Sequence, residues 1–330
     1  MSELFKITFA LRFWSASPDV AGKQAFQKLI NAFGSFAPKL SSVSLATLFL
    51  IATVAAIFTA PQCSRAESDC DRIVSLAPSV TESLFDIGLG DRVVGVTRFC
   101  RYPKDALERP KIGGYLDLSL EAIVALKPTA IFALREHRGV VAPLARMGIK
   151  IHELDHSSLA GIKASYTEIG AFCGVAESAE KKLAEFARVE RELASRCASV
   201  EGRRPKRIMV VVGRALEAGA NPSVYISGRD GFYSELIGLI GGVNAHSGST
   251  IAVPTLSKEG LMKLDPDVIF EVINRDDPVR ATEAHKLWSG YQELSAVRER
   301  RVFILSDDFA SIPGPRYTAL AEKMAGLVCG

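Results

Sequence analysis

His152-Glu153-Leu154-Asp155-His156 meets the H-E-x-x-H spacing that zinc peptidases use. That chemistry needs a helix, where the two imidazoles at i and i+4 share one face and one Zn²⁺ while the Glu serves as general base. The flanks point elsewhere. Gly148 precedes the run, Ile149 and Ile151 alternate with polar residues, and Ser157-Ser158 follow, which is the pattern of a strand leaving a turn. On a strand the two histidines would lie about 13 Å apart, too far to share a metal. A zinc metallohydrolase built on His152, Glu153 and His156 is therefore the disfavoured alternative. No other catalytic signature replaces it. The sequence contains no Walker lysine motif and no G-x-S-x-G, and Gly88-Leu89-Gly90 opens from a helix toward a strand, the reverse of a nucleotide loop. The expectation is a protein without catalytic residues or a catalytic cofactor.

Cysteine usage adds little chemistry. Cys70, Cys100, Cys173, Cys197 and Cys329 follow the apolar N-terminal stretch, and no C-x-x-C pair is present. An odd number leaves at least one unpaired. The expectation is mostly buried free cysteines with one disulfide.

Charge is unevenly placed. Residues 1–66 carry six basic side chains and two acids, whereas 67–330 hold 34 and 35. A near-neutral body argues against nucleic acid as a partner. Between Lys39 and Arg65 there is no charge, and Val43 to Ala60 is almost wholly apolar. It reads as the apolar segment of an export signal or as one membrane anchor. Ser64-Arg65-Ala66 supplies small residues for cleavage, which would start the mature chain near Glu67. If uncleaved, the segment would hold the protein on the membrane.

The elements beyond it are organised around a stretch written twice. Ser119 to Leu134 (SLEAIVALKPTAIFAL) and Ser257 to Val272 (SKEGLMKLDPDVIFEV) align without a gap, sharing Ser119/Ser257, Glu121/Glu259, Leu126/Leu264, Pro128/Pro266 and Phe132/Phe270. Each copy predicts a Ser-capped helix with Glu in its first turn, then a Pro and a buried strand. One such unit in each half predicts two lobes of similar α/β build. Between them, Ala176 to Val200 has no Gly or Pro. It carries an apolar stripe at three- and four-residue steps (Ala179, Leu183, Phe186, Leu193, Cys197, Val200), which predicts one long helix. The expected fold class is α/β: two lobes with parallel-sheet cores joined by a single long helix. The expected layout is an export signal or anchor at 1–66, an N-terminal lobe at 71–174, a connecting helix at 175–202 and a C-terminal lobe at 203–330.

RIVSLAPSVTESLFDIG, GVTRFCRYP, GGYLDLSLEAIVALKP, MGIKIHELD and SKEGLMKLDPDVI, in that order, resemble the exported substrate-binding proteins of ABC importers for metal chelates. That family includes binders of cobalamin, ferric siderophores and haem, and the cobalamin binders are the nearest. The resemblance implies a periplasmic protein that holds a chelate between its lobes and delivers it to the transmembrane subunits of a permease. It also implies that Glu121 and Glu259 face outward and dock on that permease, one per lobe. In the cleft it implies ligand contacts from Phe99, Tyr115, Arg135, Tyr225, Asp307 and Phe309. Cobalamin is the first-choice ligand, with a ferric siderophore or haem as the alternative, and Tyr115 would be a metal ligand only for haem. Departures matter here. A tryptophan expected at Val253 is missing, and one expected near Leu134–Arg135 gives way to a basic loop. Arg98, Arg135, Arg138, Arg214 and Arg229 would enrich the cleft in cations, which suits anionic chelates.

Overall fold

The computed structural model describes residues 69–198, 204–214, 223–248, 250–274 and 278–329. The expected export segment, and the boundaries placed at 66 and 202, lie outside them.

The N-terminal lobe is a run of βα units. β1 (Ile73–Ser75) leads through Ala77 into α1 (Pro78–Asp86), whose Pro at the first helical position has no N–H of its own to leave unpaired. β2 (Val93–Val96), α2 (Leu120–Ala125), β3 (Ala130–Leu134), α3 (Arg138–Arg146), β4 (Lys150–Leu154) and α4 (Leu159–Cys173) follow. The four strands form one parallel sheet in the order β2-β1-β3-β4. Parallel pairing buries both faces, and β3 is accordingly apolar and buried at all five residues.

α5 (Ala176–Arg196) then crosses to the second lobe. It is shorter than the 25-residue run read from the sequence and spans roughly 31 Å at ~1.5 Å per residue. Val189 joins Ala179, Phe186 and Leu193 on its buried stripe. That stripe belongs to a core continuous from Ile73 and Phe132 in one lobe to Ile208 and Phe270 in the other. The helix is thus packed along its length and has no loose dihedrals to act as a hinge.

The C-terminal lobe comprises β5 (Arg207–Arg214), β6 (Val224–Ile226), α6 (Phe232–Leu239), β7 (Val243–Asn244), β8 (Thr255–Leu256), α7 (Lys258–Leu264), β9 (Val268–Val272), α8 (Pro278–Trp288), α9 (Ser295–Arg298), β10 (Val302–Leu305) and α10 (Tyr317–Val328). The core strands β10, β9, β5 and β7 are parallel as expected, and the sheet is extended by β6, which runs antiparallel to β5 and β8. β6 and β8 have three and two residues, too short for a period in hydrophobicity to mark them.

The duplicated units match in detail. Ser119 Oγ accepts from the Ala122 N–H (3.2 Å) and Ser257 Oγ from the Gly260 N–H (3.3 Å). Just before the shared prolines, Lys127 (φ 47°) and Asp265 (φ 36°) adopt the same uncommon left-handed backbone. Both units end in fully buried strands, β3 and β9.

Two disulfides replace the single one expected: Cys70–Cys173 and Cys197–Cys329. The first ties the start of β1 to the end of α4, and the second ties the end of α5 to the end of α10. Each closes a loop of more than 100 residues, which on chain-entropy grounds contributes on the order of 4–5 kcal/mol. Cys100 is left free and buried, with Thr81 and Thr97 hydroxyls about its sulfur.

Candidate functional site

A cavity of about 650 Å³ lies at the carboxyl ends of the N-terminal lobe's strands and is closed from the other side by Ser311, Ile312 and Pro313. Its walls are the segments that leave β1 (Ala77–Ser79), β3 (Leu134–Glu136) and β4 (Leu154–Ser157), with Phe99 and Tyr115 from the loops beyond β2. Open α/β sheets bind ligands at such strand ends.

Of the six contacts expected from the resemblance, the structure brings Phe99, Tyr115 and Arg135 to this cavity. The other three sit elsewhere. Tyr225 is on β6, partly exposed, opposite Gly213 and Thr255. Asp307 pairs with Lys323, and Phe309 packs against the core within 5.5 Å of the Arg316 guanidinium.

Tyr115 donates its hydroxyl to Glu136 Oε1 (2.5 Å), and burial together with that carboxylate pushes the phenol well above its ordinary range. Behind it His137 packs edge-on (4.7 Å) and accepts the Leu134 N–H at Nδ1 (3.0 Å). Arg135 pairs with Asp155 (3.2 Å), whose other oxygen takes the N–H and hydroxyl of Ser157. Those Ser157 bonds hold the Asp155 carboxyl below the usual carboxylate range.

His156 forms part of the floor and is 4% exposed. Its Nδ1 is 2.9 Å from Ser79 Oγ and its Nε2 2.9 Å from Ser165 Oγ. Ser165 gives its proton to the Ile162 carbonyl (2.7 Å), so it must accept from Nε2–H, and Nδ1 in turn accepts from Ser79. Burial holds this neutral tautomer, with the pKa pushed down to about 4. A histidine whose folded pKa is depressed contributes stability that is complete above its unfolded pKa near 6.5. That contribution is lost as pH falls toward 4, on the order of 3 kcal/mol. Denaturant titrations at pH 7.5 and 4.5 should therefore show parent protein losing more stability on acidification than His156→Gln, by roughly that amount. Equal losses would show that His156 does not set the acid limit.

His152-Glu153-Leu154 lies on β4, as the flanks indicated, and Asp155-His156 follows its end. His152 stacks on Phe132 and Phe172, Glu153 pairs with Arg138, and His156 is enclosed by the two serines. The two imidazoles have separate surroundings. Among the described residues no three His, Cys, Asp or Glu side chains are grouped to hold a metal ion.

The arginine-rich cleft expected from the sequence needs correction as well. Each of the five arginines carries a carboxylate: Arg98 with Asp117, Arg135 with Asp155, Arg138 with Glu153, Arg214 with Glu271 and Arg229 with Asp230. Arg214 is also buried, bidentate to Glu271 (2.6 and 2.7 Å) and 4.8 Å from the Trp288 ring, a structural pair.

Sequence reasoning missed the contacts that close the cleft. Arg316, just before α10, donates to both oxygens of Glu82 on α1 (2.9 and 2.6 Å) and to Asp308 (2.8 Å). Nearby, a Cβ on Gly314 would come within 2.8 Å of Ser79 Cβ, so the Pro313-Gly314-Pro315 run lies directly against α1. That run was the available signal: a glycine between two prolines marks a fixed path that another backbone approaches.

The model of the family described as periplasmic binding protein matches residues 73–309, most of the chain and all of the cavity's lining from Ala77 to Tyr115 and beyond through Ser157. The chain belongs to that family. It is placed in the periplasm accordingly, and among the described residues no helix is long and apolar enough to cross a membrane. An uncharacterised ABC transporter substrate-binding lipoprotein of Bacillus subtilis is 28% identical over 259 residues, 77% of this chain and 78% of its own. A vitamin B12-binding protein of Vibrio cholerae is 27% identical over 275 residues, 81% of this chain and 92% of its own. The crystal structure of the periplasmic vitamin B12-binding protein BtuF of Vibrio cholerae superposes with a TM-score of 0.66 at 26% identity, covering 78% of this chain and 96% of that one. The heme-binding protein BhuT, solved with two hemes, reaches 0.67 at 23% identity over 78% of this chain and 97% of its own, which shows a shared fold.

Proposed function

We propose that this protein is the substrate-binding component of an ABC importer and that its cargo is a corrinoid, held between the lobes against Phe99 and Tyr115. One observation carries the choice of ligand. The arginines that could have selected an anionic chelate are each paired with a carboxylate, while Glu136 also faces the cavity. Haem propionates or catecholates would have to displace those partners. The amide-bearing rim of a corrinoid would not, and the aromatic walls offer it apolar packing. The vitamin B12-binding relatives support the same reading. Iron ligation by Tyr115 is the second reading, favoured by its place after Gly113-Gly114. It requires a phenolate, which burial and the Glu136 carboxylate disfavour.

A visible-absorbance titration of the purified protein decides between them. Saturable one-to-one binding of cobalamin is expected, weakened roughly tenfold by Tyr115→Ala through lost aromatic packing. Tighter binding of hemin or a ferric siderophore than of cobalamin would overturn the corrinoid reading.

A further inference from the structure

Beside the main cavity lies a second chamber of about 160 Å³. Pro78, Phe99, Ser311 and Ile312 line both, so the two spaces adjoin. The main cavity combines apolar walls with Arg135, Glu136, Asp155, His156 and three serines, whereas the chamber is smaller and ends on a cluster of Glu82, Arg101, Asn274, Asp308 and Arg316. Its volume would hold about five waters, room for a short side arm of a macrocycle but not for the ring itself.

We propose that this chamber is a subsite for an uncharged carboxamide arm of the ligand and that it discriminates amide from carboxylate at that arm. The proposal rests on the reading of the cleft as a corrinoid site and adds a selectivity to it. Among the described lining residues the charges balance, two arginines against two carboxylates. Three of the four are engaged with one another: the Arg316 guanidinium is bonded to Glu82 and Asp308 within 3 Å. A carboxylate entering here would compete with two carboxylates for one guanidinium and face both at short range in a partly dry space. An ammonium would meet the same difficulty with the arginines. A carboxamide offers N–H donors to Asp308 or the Asn274 oxygen, and its carbonyl accepts from the remaining N–H groups of Arg316, with no net charge to desolvate.

The test uses cyanocobalamin and its isomeric monocarboxylates, in which one side-arm amide is hydrolysed, each titrated separately into the intact protein at pH 7.5. Only one arm enters the chamber, so one isomer should bind at least about tenfold more weakly than cyanocobalamin, the scale of one unfavourable charge contact. Asp308→Asn removes an acid from the wall and should narrow that ratio. Arg101→Gln removes a cation and should widen it. Opposite responses from two substitutions in one wall do not arise from general loss of folding. Equal affinity for all isomers, or a ratio that moves the same way in both variants, overturns the subsite while leaving corrinoid capture standing. Absence of binding by every corrinoid overturns the reading of the cleft, and the subsite with it.

Discussion

Charge reversal of both repeat-helix glutamates, Glu121→Lys with Glu259→Lys, is expected to abolish ligand uptake while leaving ligand affinity unchanged. The two carboxylates are exposed, one in each lobe, and each stands in the first turn of a Ser-capped helix. The capping hydroxyls also fix them: Ser119 Oγ donates to Glu121 Oε2 (3.3 Å) and Ser257 Oγ to Glu259 Oε2 (2.8 Å). The Ser257 bond holds the Glu259 carboxyl below its ordinary range, so the charge persists under mild acidity. A first-turn Glu adds ~0.3–1 kcal/mol to its helix, which would account for either residue alone. We propose that the matched, exposed and pre-oriented pair also docks on two cationic pockets of the importer's permease. Reversing both replaces attraction with repulsion at each contact, at a cost of several kcal/mol in association, or more than about a hundredfold. Transport of labelled ligand by the reconstituted importer, set beside a binding titration of the same variant, separates the outcomes. Unimpaired transport would remove the docking role. Lost affinity would instead place the glutamates in the ligand site.

What the sequence made legible was local. The Ser caps, first-turn glutamates and prolines of the duplicated unit each act within four residues, and all reappear in α2 and α7. The strand at Lys150–Leu154 was equally readable, because alternation and a leading glycine are near-neighbour signals. Partnership across the chain was not. Arginine side chains can be counted from the sequence, but whether each is free to meet a ligand depends on a carboxylate as distant as Glu271 is from Arg214. The same holds for Cys197 and Cys329, 132 residues apart, whose bond no spacing announces. Tyr225 illustrates a third limit. Its aromatic character suits a cleft, yet a three-residue antiparallel strand fixes where it lies. Phe99, Tyr115 and Arg135 came from the family resemblance, and the structure places them on one cavity where the strand ends of a parallel sheet converge.

The ion pair between Glu82 and Arg316 shows how far such a distant partnership can govern stability. Arg316→Met is expected to destabilise the protein by about 3–5 kcal/mol at neutral pH, because it strands a charge that is 2% exposed without its partner. The loss should depend on pH with a definite sign. Burial already raises the Glu82 carboxyl above its ordinary pKa, and the Arg316 hydrogen bonds and charge act against that rise. Without the arginine the folded-state pKa climbs further. An acid whose folded pKa lies above its unfolded value contributes stability below the unfolded value and loses it as pH rises through the folded one. The deficit of Arg316→Met relative to the parent should therefore be small near pH 5 and grow toward pH 8, as read from paired denaturant unfolding curves. Glu82→Gln in the same background should recover most of it at pH 8, since a neutral amide has no charge to desolvate. A deficit that is flat across this range, or unrelieved by the amide, would assign the effect of Arg316 to its packing over the Tyr102 ring at 4.3 Å instead of to its charge. The recovery experiment also bears on the lobes. Glu82 belongs to α1 of the first and Arg316 to the segment entering α10 of the second, so restored stability without restored charge would leave a seam held by shape alone. Cross-seam rigidity would then rest on the close approach of Gly314 to Ser79 and on the packed stripe of α5.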